Sequence, residues 1–352
     1  MRSLPLTVPY MTIITLAVAV CGAALGWVVS MPAAFLVGPA LAVSLAGLVG
    51  LQMGIGHGLR DSFMLVIGLA IGAGFDADAG AAILRWPLAF GVLAATLLVT
   101  LIIGRMVLTR WFGFDGQSAI LAVVPGHLSM AIGIATASDL DVGRVILVQT
   151  IRLLLLIVLV PFAALALGYE MQASVLPAGT PMSWGHLAIL TLAGLVLAFG
   201  FRRFDLPAPM LLGPMIASGI GHMSGLTPGT VPGWILSIAF IGMGALIGSR
   251  FSGMSPALVR SGLLAGLVST GLAVVLSVAA ALPVAMALNM PGVHVMTAFS
   301  PGGFETMIAL GVAMGASPGF VAACHVMRLV VLSALLPLFL RSTPGKARSS
   351  SR

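Results

Sequence analysis

From Pro9 to Leu340 the sequence is a succession of apolar runs, most of them close to the length that crosses a lipid bilayer. A spanning helix needs about 20 predominantly apolar residues. Runs this continuous lack the roughly ten-residue alternation of an outer-membrane barrel, so the spans are expected to be helices. A soluble alternative fails on charge. Only 7% of the 352 residues are charged and 60% are apolar, whereas soluble domains carry roughly 25% charged residues. The expected class is an all-α polytopic protein of the inner (plasma) membrane. The first run lacks a clear small-residue cleavage site followed by polar sequence, so it reads as a span and not a signal peptide.

The formal charge of +7 does not point to nucleic acid. Basic residues sit singly between apolar runs, or in the tail Arg341–Arg352 among Ser, Gly and Pro, where orientation signals belong. That tail, 341–352, reads as a disordered cytoplasmic end. Cys21 and Cys324 both fall inside apolar runs and read as small buried hydrophobes, without a disulfide framework.

An internal repeat organises the chain. Met31–Ala40 matches Leu206–Met215 at five of ten positions, offset by 175. Val124–Ala163 matches Ser300–Phe339 without gaps at eleven of forty, offset by 176, including Pro125/Pro301, Gly126/Gly302, Arg152/Arg328 and Pro161/Pro337. Apolar bias inflates chance matches of Leu and Val, but not of Pro and Arg at a fixed offset. The copies run 10–167 and 185–340, joined by a linker at 168–184. Copy one reads as segments 10–29, 32–50, 62–75, 86–109, 117–137 and 143–167; copy two as 186–201, 207–224, 233–249, 258–286, 295–315 and 318–340. The fifth segment of each is interrupted by Pro-Gly.

If that segment enters the membrane and returns, each copy has five crossings and the repeat is inverted. Of sixteen basic residues, Arg152 and Arg328 lie within spans; of the other fourteen, thirteen then share the cytoplasmic side with both termini, and Arg85 alone lies opposite. Twelve crossings with fully spanning broken helices is the alternative left open.

Chemistry concentrates at the breaks. Pro125, Gly126, His127 and Ser129 mark the first; Pro301, Gly302, Gly303, Glu305 and Thr306 mark the second. Proline removes a donor and glycine admits unusual dihedrals, so both interrupt a helix. A half-helix beginning there aims free N–H groups and a positive dipole end into the membrane. Broken helices at matching positions of two repeats are the best sequence pointer to a transporter's binding site. One helix later, Gln149 and Arg152 lie three apart on one face, matched by His325 and Arg328. A membrane arginine must meet a helix C-terminus, a carboxylate such as Glu305, water or an anionic ligand. Three roles therefore stand side by side: capping carbonyls freed at the break, contacting substrate, or forming a salt bridge. Glu305, His127 and His325 are also candidate proton carriers. No histidine or cysteine spacing suits a metal, so no cofactor and no enzyme activity is expected. The GxxxG pairs Gly22/Gly26, Gly68/Gly72 and Gly244/Gly248 suit close packing within the chain; a homodimer is the other reading.

Around the breaks the sequence resembles the AbrB membrane-protein family, a duplicated group of Gram-negative bacteria that also carries an ammonia monooxygenase label. The resemblance rests on Pro32–Pro39 (Pro-Ala-Ala-Phe-Leu-Val-Gly-Pro), Pro125–Ala131, Pro301–Met307 and His325–Leu329 (His-Val-Met-Arg-Leu). It implies a regulatory or monooxygenase label without a mechanism. Its layout is akin to the cation–proton antiporter and bile-acid transporter superfamily, but Glu305 has no acidic counterpart at Ser129, which argues against sodium exchange. The leading expectation is a secondary transporter for a small anionic solute, embedded in lipid and without nucleic-acid partners. A membrane sensor acting indirectly on gene expression is the second reading, and a membrane-bound monooxygenase component the third.

Overall fold

The computed structural model describes residues 8–75, 86–125, 128–166, 179–204, 206, 208–254 and 256–341. Most of the expected linker, the tail 342–352, Arg85, Gly126 and His127 lie outside the described residues. The described chain is helical, with one isolated bridge between Pro181 and Thr230. Its helices are α1 (Val8–Val28), α2 (Ala34–Leu48), α3 (His57–Gly72), α4 (Trp86–Phe112), α5 (Gly116–Val123), α6 (Leu128–Ala137), α7 (Val142–Ala166), α8 (Trp184–Arg203), α9 (Pro209–Met223), α10 (Gly233–Gly248), α11 (Pro256–Leu288), α12 (Gly292–Phe299), α13 (Phe304–Ala313) and α14 (Pro318–Arg341). A short 3-10 turn, Ser249–Phe251, extends α10.

Among the described residues seven helices are long and apolar enough to cross a membrane: α1, α4, α7, α8, α10 with its 3-10 turn, α11 and α14. The protein is therefore an all-α polytopic membrane protein. The ten-crossing reading also counts α2, α3 and α9, but these hold only 15, 16 and 15 residues. At 1.5 Å per residue they span about 23 Å, short of the roughly 30 Å hydrocarbon core. Large apolar side chains face outward, among them Met286 at 83% and Val196 at 72% exposure, as lipid contact requires. Cys21, expected inside, lies exposed on α1.

Two compact units divide the chain. One comprises 1–84, 157–255 and 305–321; the other comprises 85–156, 256–304 and 322–352. In the first, α2 and α9 each begin after an alanine in the left-handed region, Ala33 at φ 50° and Ala208 at φ 45°, and each carries a proline at its sixth position. Small residues let these helices approach their neighbours closely. A Cβ on Gly22 of α1 would stand 2.6 Å from the Gly38 carbonyl of α2, and one on Gly194 of α8 would stand 2.7 Å from Cα of Pro214 in α9. Gly68 and Gly72 of α3 press against Leu211 and Met215 of α9, and Gly244 and Gly248 of α10 press against Leu36 and Ala40 of α2. All three GxxxG pairs thus meet partners inside the same chain. Leu69, Met182, Leu190 and Val231 form one buried cluster there, and Ala19, Val43, Met53 and Ala245 another. The second unit is built on α4, α11 and the half-helices α5, α6 and α12, whereas nearly all of α13 belongs to the first.

Candidate functional site

Both Pro-Gly segments break their helices. Val124, before Pro125, has φ −51° and ψ 118°; Ser300, before Pro301, has φ −53° and ψ 132°. The ring of a following proline disfavours the helical region for the residue ahead of it, so α5 and α12 both stop after eight residues. A ten-residue helix restarts beyond each break, α6 at Leu128 and α13 at Phe304. At its other end α5 is capped by Asp115, whose carboxylate accepts from the backbone N–H groups of Gln117 and Ser118 at 3.1 and 2.9 Å.

A helix end buried in protein leaves its last carbonyls without intrahelical donors and away from water. Side chains on α7 supply the donors for α5. The Gln149 amide donates to the Leu121 carbonyl at 2.6 Å. Arg152 donates from Nη1 to Ala122 and Val123, at 3.3 and 3.0 Å, and from Nη2 to Val124 at 2.9 Å. Four consecutive carbonyls are satisfied by two residues one helical turn apart.

The second break repeats this arrangement. On α14, Arg328 donates from Nη1 to the Ser300 carbonyl at 2.7 Å and from Nη2 to that of Ala298 at 3.2 Å, with a longer contact to Gly302 at 3.5 Å. Ala298 and Ser300 stand 176 residues after Ala122 and Val124. His325 takes the place of Gln149 and lies edge-on to the Phe304 ring, 6.5 Å between centroids. Gln149, Arg152, His325 and Arg328 are all buried. So, among the named residues with described side chains, are Pro125, Pro301, Gly302 and Thr306; Gly303 is half-buried. The side chains of Ser129 and Glu305 are outside the described set.

Of the three roles open to the arginines, capping is the one seen. A salt bridge to Glu305 falls outside the described side chains. Capping does not use every donor. The Nε of each arginine and the hydroxyl of Ser300 are buried, and among the described residues they meet no hydrogen-bond partner. The two guanidinium groups both belong to the second unit.

One contributor was missed from the sequence. Arg144 reads there as an orientation charge, yet it closes the C-terminus of α4, donating to the carbonyls of Phe112 and Gly113 at 2.6 and 3.3 Å. Its guanidinium also lies 3.8 Å over the Phe114 ring. The signal available was a basic residue following the Phe112-Gly113-Phe114 corner.

A family model described as "Transition state regulatory protein AbrB" matches residues 35–343. "Uncharacterized protein YhjN" of Bacillus subtilis (strain 168) is 28% identical over 312 residues, 82% of this chain and 80% of that protein. "Putative regulator AbrB" of Escherichia coli (strain K12) is 25% identical over 335 residues, 92% of this chain and 94% of that protein.

Proposed function

The chain belongs to the AbrB family, and we propose that it is a secondary transporter moving a small anionic solute through a site formed where α5/α6 and α12/α13 break. The supporting observation is the pair of buried guanidinium groups, each closing a half-helix C-terminus while keeping its Nε–H unspent. A helix C-terminus carries roughly half a negative charge, so capping leaves each arginine with net positive character. Where two such centres face one low-dielectric site they repel one another, and an anion bound between them would relieve that repulsion while accepting their spare hydrogen bonds. The breaks supply further donors, because α6 and α13 begin there with free N–H groups. Residues Pro125–Ser129 and Pro301–Thr306 form the proposed lining, with Gln149 and His325 beside the arginines. His127, Glu305 and His325 are the groups through which protons would be coupled.

A thermal-shift screen of small carboxylates and inorganic oxyanions, followed by uptake into vesicles, tests the reading. Stabilisation and accumulation of at least one anion are expected. The family description and the name of the Escherichia coli relative favour a second reading, a membrane regulator. An anion that stabilises the protein but never crosses would select it. A monooxygenase would need a metal cluster, and metal analysis of the purified protein decides that point.

A further inference from the structure

A cleft of about 230 Å³ in the first unit lies between the first turns of α3 and α9 and the end of α8. Its rim carries two arginines, with a histidine beside them. His57 and Arg60 come from α3 and Arg202 from the last turn of α8. Asp61 is the single carboxylate among the lining residues, and it is already engaged by Arg60 through Nε and Nη2 at 3.2 and 3.1 Å. That pair is solvent-facing, with the Arg60 side chain 47% exposed, so it holds Arg60 weakly. The Arg202 guanidinium meets no hydrogen-bond partner among the described residues. Beneath the rim lie the buried Met64 and Leu211, with Met210 half-buried and Pro209 offering no N–H. Along the chain beside Arg202, Phe199 on α8 and Phe204 and Leu206 after it are exposed.

From this arrangement we infer that the cleft binds the phosphate of an anionic phospholipid headgroup. The rim arginines take the phosphate, and the exposed Phe199, Phe204 and Leu206 flanking Arg202 take the glycerol end of the chains. A free phosphate ion would use the rim but gain nothing from those apolar side chains. The inference concerns a site apart from the broken helices and stands independently of the transport proposal.

The test uses the full chain purified in detergent, titrated with phosphatidylglycerol or with phosphatidylcholine of the same acyl chains, with bound lipid read by native mass spectrometry. Phosphatidylglycerol should bind more tightly. Arg60→Gln and Arg202→Gln should each weaken it about fivefold, as expected for one basic residue near an anionic headgroup, while Arg202→Lys keeps most of the binding. Arg110→Gln, at the exposed end of α4 and not among the cleft's lining residues, should change nothing. Thermal unfolding of each variant checks that it is folded. Equal binding of the two lipids overturns the inference, as does a loss in Arg110→Gln matching that in Arg202→Gln. Displacement by inorganic phosphate at the lipid's own concentration would also overturn it, in favour of a free-ion site.

Discussion

Arg152 and Arg328 each do for a buried helix end what water does for an exposed one, and their fork shape is what makes this possible. A guanidinium holds donors in a fixed plane and stays charged, so one side chain spans the carbonyls of Ala122 to Val124, or of Ala298 and Ser300. Lysine brings charge at a single point. Arg→Lys at either position should therefore keep the protein folded but weaken anion binding, while Arg→Gln should nearly abolish binding. Arg→Gln should also lower folding stability by about 3 kcal/mol, since each buried carbonyl left unpaired costs about 1–3 kcal/mol. Thermal unfolding alongside ligand titration reads both effects. Gln149→Ala frees only the Leu121 carbonyl, so a smaller loss of about 1–2 kcal/mol is expected, with anion binding largely retained. Equal effects of Gln149→Ala and Arg152→Gln on binding would mean that the arginine serves packing alone.

The broken helices set where those arginines stand. Proline fixes the break through the residue before it, and both Val124 and Ser300 adopt the extended backbone this demands. Pro301→Ala lifts that restriction, letting α12 run on toward α13; uptake should fall while the amount inserted stays the same. Gly302→Leu should act likewise, because a branched side chain narrows the backbone options of the break. Normal uptake in both variants would remove the break from the mechanism. This level was legible in the sequence, since Pro-Gly punctuates a helix by local sterics and the copies display it 176 residues apart. The expected segments 32–50 and 207–224 likewise lie within two residues of α2 and α9 at each end. The acceptors of Arg152 and Arg328 were not legible, because they are backbone carbonyls, and which of them a side chain reaches depends on how α7 packs against α5. Nor was the part played by Arg144, whose carbonyl partners lie 31 and 32 residues away.

At the scale of the molecule, sequence copies and compact units follow different boundaries. The copies run end to end, yet the first unit takes α1–α3 from one and α8–α10 from the other, and the second takes α4 and α11 together with the capped half-helices α5 and α12. Apolar periodicity marks each helix but is silent on its neighbours, because lipid-facing and protein-facing surfaces are both apolar. The GxxxG pairs were the partial exception, and they became specific only once Gly22, Gly68 and Gly244 were seen against their partners. Membrane orientation is a prediction of the charge distribution. Reporter fusions after residues 110, 203, 255 and 345 should report the cytoplasm, and one near 175 the periplasm; a cytoplasmic signal at 175 would contradict the inverted repeat. The central claim, that the paired arginines at the two breaks form an anion-transport site, meets its most direct test in counterflow of labelled small anions into vesicles holding the wild type, Arg328→Lys or Arg328→Gln. The wild type should accumulate at least one anion, Arg328→Lys less of it, and folded Arg328→Gln almost none. Accumulation by Arg328→Gln equal to that of the wild type would contradict the claim.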